Sequence, residues 1–404
     1  MFVREPRLHD RKLRLAATLA RQTDATMQMV APAQQAGRSQ PQTTVEPPGG
    51  PFVRHTQPGR RLIYQSPANA FGQLVQQPFV AVPGYISRIR GKIIASGGAS
   101  LSTTSVAAAA DSPYSTVSLI TLRDPFGTVL MTGDGYSILH LVGKWSGCFF
   151  VGNGADQSNL PSWVAMSTGT SGTGNFTFAF CLPLELAKAY GVVSGANAAL
   201  LPTLQIQLAA NTSVYTTVPS TAPTVEVDIE TDFYWLPQGV DVAPPGLGTT
   251  QQWTLQPCYP GIGSGASQQI NIPRLGGYLS TLIFIMRDSN NARIDAWPTR
   301  LRWYVDGVPL YDTLLTTLYD DIYGQSWGLT RETGVIVFSR KTSLSQMNLG
   351  LFDTGEHFLS SSPGTAMQLE GMPWATIANA PATVQALFGQ VVPAGTLIQG
   401  LPEV

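Results

Sequence analysis

The chain is poor in charge. Of its 404 residues, 24 are Lys or Arg and 25 are Asp or Glu, 12% together, about half of the ~25% usual for soluble domains. So thin a charge suits a surface packed against other subunits. Cysteine is scarce as well. Cys148, Cys181 and Cys258 are widely spaced and form no CxxC pair, which speaks against a metal cluster and for reduced thiols in apolar settings, folded in the cytosol. The histidines are His9, His55, His140 and His357, none with a second His or Cys at ligand spacing, so no metal and no cofactor is expected. No uninterrupted apolar run approaches the ~18–20 residues of a membrane span. The first residues show no apolar core of a secretory signal. Their Arg-rich character is that of a transit peptide, but Glu5 and Asp10 count against one.

Glycine (40) and proline (30) are plentiful, the composition of a loop-rich all-β protein. The net charge of −1 hides an asymmetry: residues 1–61 carry ten Lys/Arg against four Asp/Glu, and the rest fourteen against twenty-one. A basic arm on a mildly acidic body reads as an interaction tail. Residues 7–21 read as an amphipathic helix, with Leu8, Leu15 and Leu19 on one narrow stripe and Arg7, Arg11, Arg14 and Arg21 on a flank. The stripe is too thin for a core, so the helix docks on a surface. Residues 22–58 are Gln-, Pro- and Thr-rich and read as an extended arm.

Strand signals fill the remainder. Phe176, Phe178 and Phe180 alternate with Thr177 and Ala179, and Leu204, Ile206 and Leu208 with Gln205 and Gln207. Over 224–234, Val225, Val227, Ile229 and Phe233 alternate with Glu226, Asp228, Glu230 and Asp232. These are period-two patterns. His140 falls in an apolar stretch that reads as a strand, and residues 312–324 read as a short helix. A weak echo links two halves: Gly84-Tyr85-Ile86-Ser87 and Gly277-Tyr278-Leu279-Ser280 each open an apolar strand, about half a chain apart. Such spacing indicates duplication of a whole domain. The expected organisation is a basic helix and arm (1–61), a first β-domain (62–236), a linker (237–252), a second β-domain (253–375) and a tail (376–404). Parallel α/β folds lack their alternating helices here.

These features, taken in order, resemble the double jelly-roll major capsid proteins of tailless phages with an internal membrane, the tectivirus-like group. A Gln-rich arm with a helix precedes the first strand. Phe176–Phe180 runs into Leu182-Pro183-Leu184, then a Gly/Ala loop and the strand Leu204–Leu208. Tyr278-Leu279-Ser280-Thr281 opens the second series. The resemblance implies two tandem eight-stranded jelly rolls, a homotrimeric pseudo-hexameric capsomer, and a virion protein folded in the host cytoplasm. It implies neighbouring capsomers, penton and minor capsid proteins as partners, and no sequence-specific nucleic acid. It turns the arm toward the internal viral membrane, with Arg4, Arg7, Arg11, Lys12 and Arg14 as contacts to lipid or a neighbour.

In a jelly roll the first and last strands lie side by side. With 85–94 as the first and 224–234 as the last, the row Arg88, Arg90, Lys92 is expected beside the row Glu226, Asp228, Glu230, Asp232 on the outer face. No catalytic residue is expected. Leu351-Phe352-Asp353-Thr354-Gly355 has the look of an aspartic protease motif, but Glu356 stands where that family has a small residue, and a turn is the better reading. Gly261, Gly263 and Gly265 lack the GK[ST] of a phosphate loop. The remaining alternative is a tandem β-sandwich that binds carbohydrate, with Trp297, Trp303 and Trp327 as candidate aromatics.

Overall fold

The computed structural model describes residues 50–392 apart from 79–80, 102, 147–159, 187–188, 196–200, 236–241, 245–249, 263–267, 326–330, 340–358, 361–365, 372–373 and 375. The expected helix at 7–21 and the five basic residues of the arm lie outside the described residues.

A short helix, Gly50–His55, leads into β1 (Gln57–Asn69), β2 (Leu74–Pro78), β3 (Gly84–Ser96), β4 (Ala107–Ala108), β5 (Val117–Arg123), β6 (Val129–Gly133), β7 (Phe176–Pro183), β8 (Val193–Ser194), β9 (Thr203–Leu208), β10 (Tyr215–Thr217) and β11 (Thr224–Trp235). There follow β12 (Thr250–Ile262), β13 (Gln268–Ile272), β14 (Tyr278–Arg287), β15 (Arg300–Val305), β16 (Val308–Leu314), β17 (Val335–Ser339), β18 (Leu359–Ser360), β19 (Met367–Gly371) and β20 (Ala382–Val392). The first roll has the sheets β1-β11-β3-β7 and β6-β5-β9-β2; the second has β12-β20-β14-β17 and β13-β19-β15-β16. The two orders match strand for strand, and even the small β8 and β18 flank the equivalent strands β3 and β14. The chain is a double jelly roll of eight principal strands per roll.

The echo in the sequence has a structural cause. Ser87 is an extra residue in β3, between Arg88 opposite Asp232 and Ile86 opposite Phe233. Ser280 is likewise extra in β14, between Thr281 opposite Gly389 and Leu279 opposite Gln390. Each is a β-bulge, and each serine hydroxyl donates to a carbonyl of the last strand of its roll: Ser87 to Asp232 at 3.1 Å, Ser280 to Gly389 at 2.9 Å. The bulge shifts strand parity by one. Ile86 thereby points inward with Ile89 and Ile93, although Arg88 and Arg90 between them face outward.

The rolls are joined by a shared sheet. β6 pairs in parallel with β12, Trp253 opposite Met131 and Thr254 opposite Thr132, which makes one nine-stranded sheet of the second sheet of roll one and the first of roll two. The roll-two half of that sheet is buried on both faces. Leu282, Phe284 and Met286 of β14 enter the roll-two core, while Ile283 and Ile285, with Val335, Val337 and Leu387, close the roll-one core. A strand covered on both faces reads as a continuous apolar run, and Leu282–Met286 is such a run.

Several expectations are corrected. β1 starts at Gln57, inside the stretch read as arm; its Pro58 and Gly59 read as loop, but an edge strand tolerates proline. β12 starts at Thr250, inside the span read as linker. The span 376–404, read as a tail, contains β20, the central strand of the roll-two sheet. Its Ala and Gly content is a packing requirement: a Cβ on Gly389 would lie 2.5 Å from the Trp253 ring. His140 lies in a π-helix, Tyr136–Val142, rather than a strand. Asp134 starts that turn, accepting from the Ser137 amide on its side chain (2.7 Å) and from the Ile138 amide on its carbonyl (2.9 Å). Residues 308–314, including the start of the expected helix, are strand β16; the helix is Leu315–Gln325.

Candidate functional site

The outer face of the β1-β11-β3-β7 sheet carries the charged rows. β3 and β11 run antiparallel with Asp232 opposite Arg88, Glu230 opposite Arg90 and Asp228 opposite Lys92. Asp232 is the hub: Arg90 Nε and Arg60 Nε, the latter from β1, each donate to one of its oxygens at 2.6 Å. Burial raises the Asp232 carboxyl, but these two arginines outweigh it and hold the acid below the usual carboxylate range. Arg60 also lies 3.7 Å from Glu230. Glu226 instead accepts from the amide of Gln65 at 2.9 Å. Asp228 is pushed up, by burial first and by the neighbouring Glu226 next. Arg88 turns away from the acidic row to Glu185, a buried carboxylate at the end of β7, at 2.9 Å.

Glu185 organises the end of the sheet against which the Gly50–His55 helix packs. It also accepts from Tyr234 Oη and the Ala189 amide, both at 3.0 Å. Phe52, buried in the Gly50–His55 helix, sits edge-on against Tyr85 and Tyr234, at 5.5 and 5.8 Å between ring centres. The start of the described chain is thus anchored by an aromatic wedge on β3 and β11.

The contact between rolls is held by two groups of buried charge that the sequence reading missed. Asp111, in the left-handed region at φ 63°, forks between Arg287 and Arg293 of roll two. Arg287 also donates to Asn291 O at 3.1 Å and Gln385 Oε1 at 3.2 Å, and Arg293 lies 4.2 Å from the Tyr136 ring centre. Beside them, Lys144 Nζ donates to Glu332 Oε1 at 2.5 Å, and His140 Nε2 approaches the same oxygen at 3.5 Å. Burial raises the Glu332 carboxyl, yet His140 and Lys144 overcome it and leave the acid below its ordinary value. The Tyr136 phenol is pushed well up, by burial and then by Glu332. A single charge inside an apolar run, as in Leu141-Val142-Gly143-Lys144-Trp145, is the sequence signal that could have found this cluster.

Other candidate residues fall away from any common site. Trp297 and Trp303 are buried core residues, which removes two of the three aromatics proposed for sugar binding; Trp327 lies outside the described residues. So do Asp353, His357 and Cys148. Burial pushes the Cys258 thiol up to about 12, the property of an inert thiol. Among the described residues, no group of three or more His, Cys, Asp or Glu is placed to hold a metal, and no helix is long and apolar enough to cross a membrane.

Solved structures share this fold at low identity. The STIV major capsid protein, seen in its crystal structure, superposes with a TM-score of 0.61 at 14% identity, covering 85% of this chain and 100% of that one. The atomic structure of Sulfolobus Turreted Icosahedral Virus supplies a chain with a TM-score of 0.59 at 14% identity, over 86% and 94%. PBCV-1 VP54, fitted into a reconstruction of the virophage Sputnik, gives 0.55 at 10% identity, over 90% and 96%. These are double jelly-roll major capsid proteins of icosahedral viruses, and the chain has their fold. No protein-family model matches the chain, and no curated protein matches it in sequence.

Proposed function

We propose that the chain is the major capsid protein of an icosahedral virus, and that three copies form a capsomer whose six rolls give a near-hexagonal outline. The observation that carries this reading is the duplication. One polypeptide supplies two rolls of matching strand order, joined through a continuous sheet and buried ion pairs into one compact unit. Such a unit tiles a shell; it has no need of a catalytic centre. Neighbouring capsomers, penton and minor proteins are its partners in the virion, after folding in the host cytoplasm. The arm, with Arg4, Arg7, Arg11, Lys12 and Arg14, reaches from the Phe52 wedge to an anionic membrane or to a neighbouring subunit. Each basic residue near an anionic bilayer contributes about 1 kcal/mol.

Light scattering with electron microscopy of the purified full-length protein tests the reading. A particle of about three times the 43.2 kDa chain mass, hexagonal in projection, is expected. A monomer at every concentration overturns it. Deleting residues 1–21 is expected to leave the trimer intact and to impair particle assembly or membrane retention; normal particles from the truncated chain refute the role of the arm.

A further inference from the structure

The internal duplication has two unequal ends. Within the chain, β6 at the edge of the roll-one sheet meets β12 at the edge of the roll-two sheet. The strand equivalent to β6 in roll two is β16, and the strand equivalent to β12 in roll one is β1. Among the described residues both are edge strands, each paired on one side with its own roll. The bulges align them residue by residue. Arg60 faces Asp232 as Trp253 faces Gly389, next to the paired bulges at Ser87 and Ser280. Leu130 and Leu310 are the extra residues where β5–β6 and β15–β16 shift register, so Met131 corresponds to Tyr311 and Thr132 to Asp312.

Exposure follows this equivalence. Leu130, beside the in-chain contact, is 1% exposed, whereas its counterpart Leu310 is 40% exposed. Leu255 of β12 packs partly buried against the core, whereas its counterpart Leu62 on β1 is 54% exposed. Val308 and Leu314 add to the bare edge of β16. An apolar edge strand left open is an aggregation site, and folded proteins cover it.

We propose that a second copy of this chain covers it: β16 of one copy lies parallel to β1 of the next, repeating between copies the β6–β12 contact made within each. This rests on the capsid reading above and names the surface through which its subunits join. The in-chain pairs Trp253–Met131 and Thr254–Thr132 become Arg60–Tyr311 and Arg61–Asp312 between copies. The second pair is one of opposite charge. Arg61 is exposed, with Nη1 donating to the Ala81 carbonyl at 3.0 Å. Asp312, bound at both oxygens by Arg300 and approached by Arg302 at 3.3 Å, is partly exposed and keeps lone pairs for a further donor. The contact joins unlike surfaces, so it builds a ring or a chain of subunits and not a two-fold dimer.

Cysteine pairing in the full-length protein tests the register. Parallel neighbours lie about 4.8 Å apart, within disulfide reach. The variant Arg61→Cys/Asp312→Cys, mildly oxidised, is expected to give covalent bands at two and three chain masses on a denaturing gel, with each single substitution remaining at one. A second pair, Leu62→Cys/Thr313→Cys, addresses the same edge one residue on and guards against a folding defect in the first. Trimers by light scattering without cross-links in either pair overturn this contact and leave the capsid reading standing. A wild-type monomer overturns both. Equal cross-linking by Arg61→Cys/Val308→Cys, four residues out of register, overturns the proposed alignment.

Discussion

Removing the positive partner of Glu332 should weaken the contact between rolls more than any surface substitution. Lys144 and Glu332 are 1% and 4% exposed in their side chains and meet at 2.5 Å. Breaking a buried pair from one side leaves the Glu332 carboxylate without its nearest partner and with His140 3.5 Å away, so Lys144→Met is expected to destabilise the fold by about 3 kcal/mol at pH 7. The double variant Lys144→Met/Glu332→Leu removes both charges and should return to within about 1 kcal/mol of the wild type. The sign with pH follows. In the wild type the Glu332 carboxyl is held below its ordinary value, so its contribution is present above the unfolded pKa of about 4.3 and is lost as pH falls through the folded value. In Lys144→Met the carboxyl loses one of the two groups that hold it down against burial, so its pKa rises and the deficit should shrink as pH falls from 7 toward 4 and Glu332 takes up a proton. Urea unfolding followed by tryptophan fluorescence reads this directly, because buried Trp145 adjoins Lys144. A single-variant loss under about 1 kcal/mol, or a double variant as unstable as the single, refutes the reasoning.

Gly389→Ala should destabilise by about 1–3 kcal/mol through overpacking against Trp253, and Trp253→Ala by about 3–5 kcal/mol through the cavity it leaves; thermal melts of the two compare them. Asp232→Asn, which weakens the bonds from Arg60 and Arg90, should lose about 1.5–3 kcal/mol, whereas Glu230→Gln, at its more exposed neighbour in the row, should lose under about 1 kcal/mol. Denaturant midpoints that rank the two in reverse would contradict the assignment of Asp232 as hub. Because the Asp232 acid is held low, the difference between wild type and Asp232→Asn should be present above about pH 4 and fade at lower pH.

Period-two patterning is a local property, and wherever it is clean the sequence by itself determined the element. The alternating phenylalanines of β7, the Leu/Gln alternation of β9 and the valine-carboxylate alternation of β11 each state both strand and face. The Gly-Tyr-Ile-Ser and Gly-Tyr-Leu-Ser echo carried more, since the serine in each marks the same bulge against the last strand of its roll. Two features hid other strands. β1 and β20 carry Pro, Gly and Ala that read as loop or tail, because edge position and the close approach of Trp253 are facts about neighbours far along the chain. Pairing was also undetermined. Arg88 shares a face with Arg90, but only the end of β7 brings Glu185 near enough to take it. In the sequence Lys144 and Asp111 stand alone, while Arg287 and Glu332 adjoin a charge, Asp288 and Arg331, that is not the partner each takes in the fold. Desolvation makes them costly unless paired, and only the docking of one roll on the other supplies the partners. Local periodicity therefore set the strands and their faces, while contacts between residues more than a hundred positions apart decided how two jelly rolls became one body.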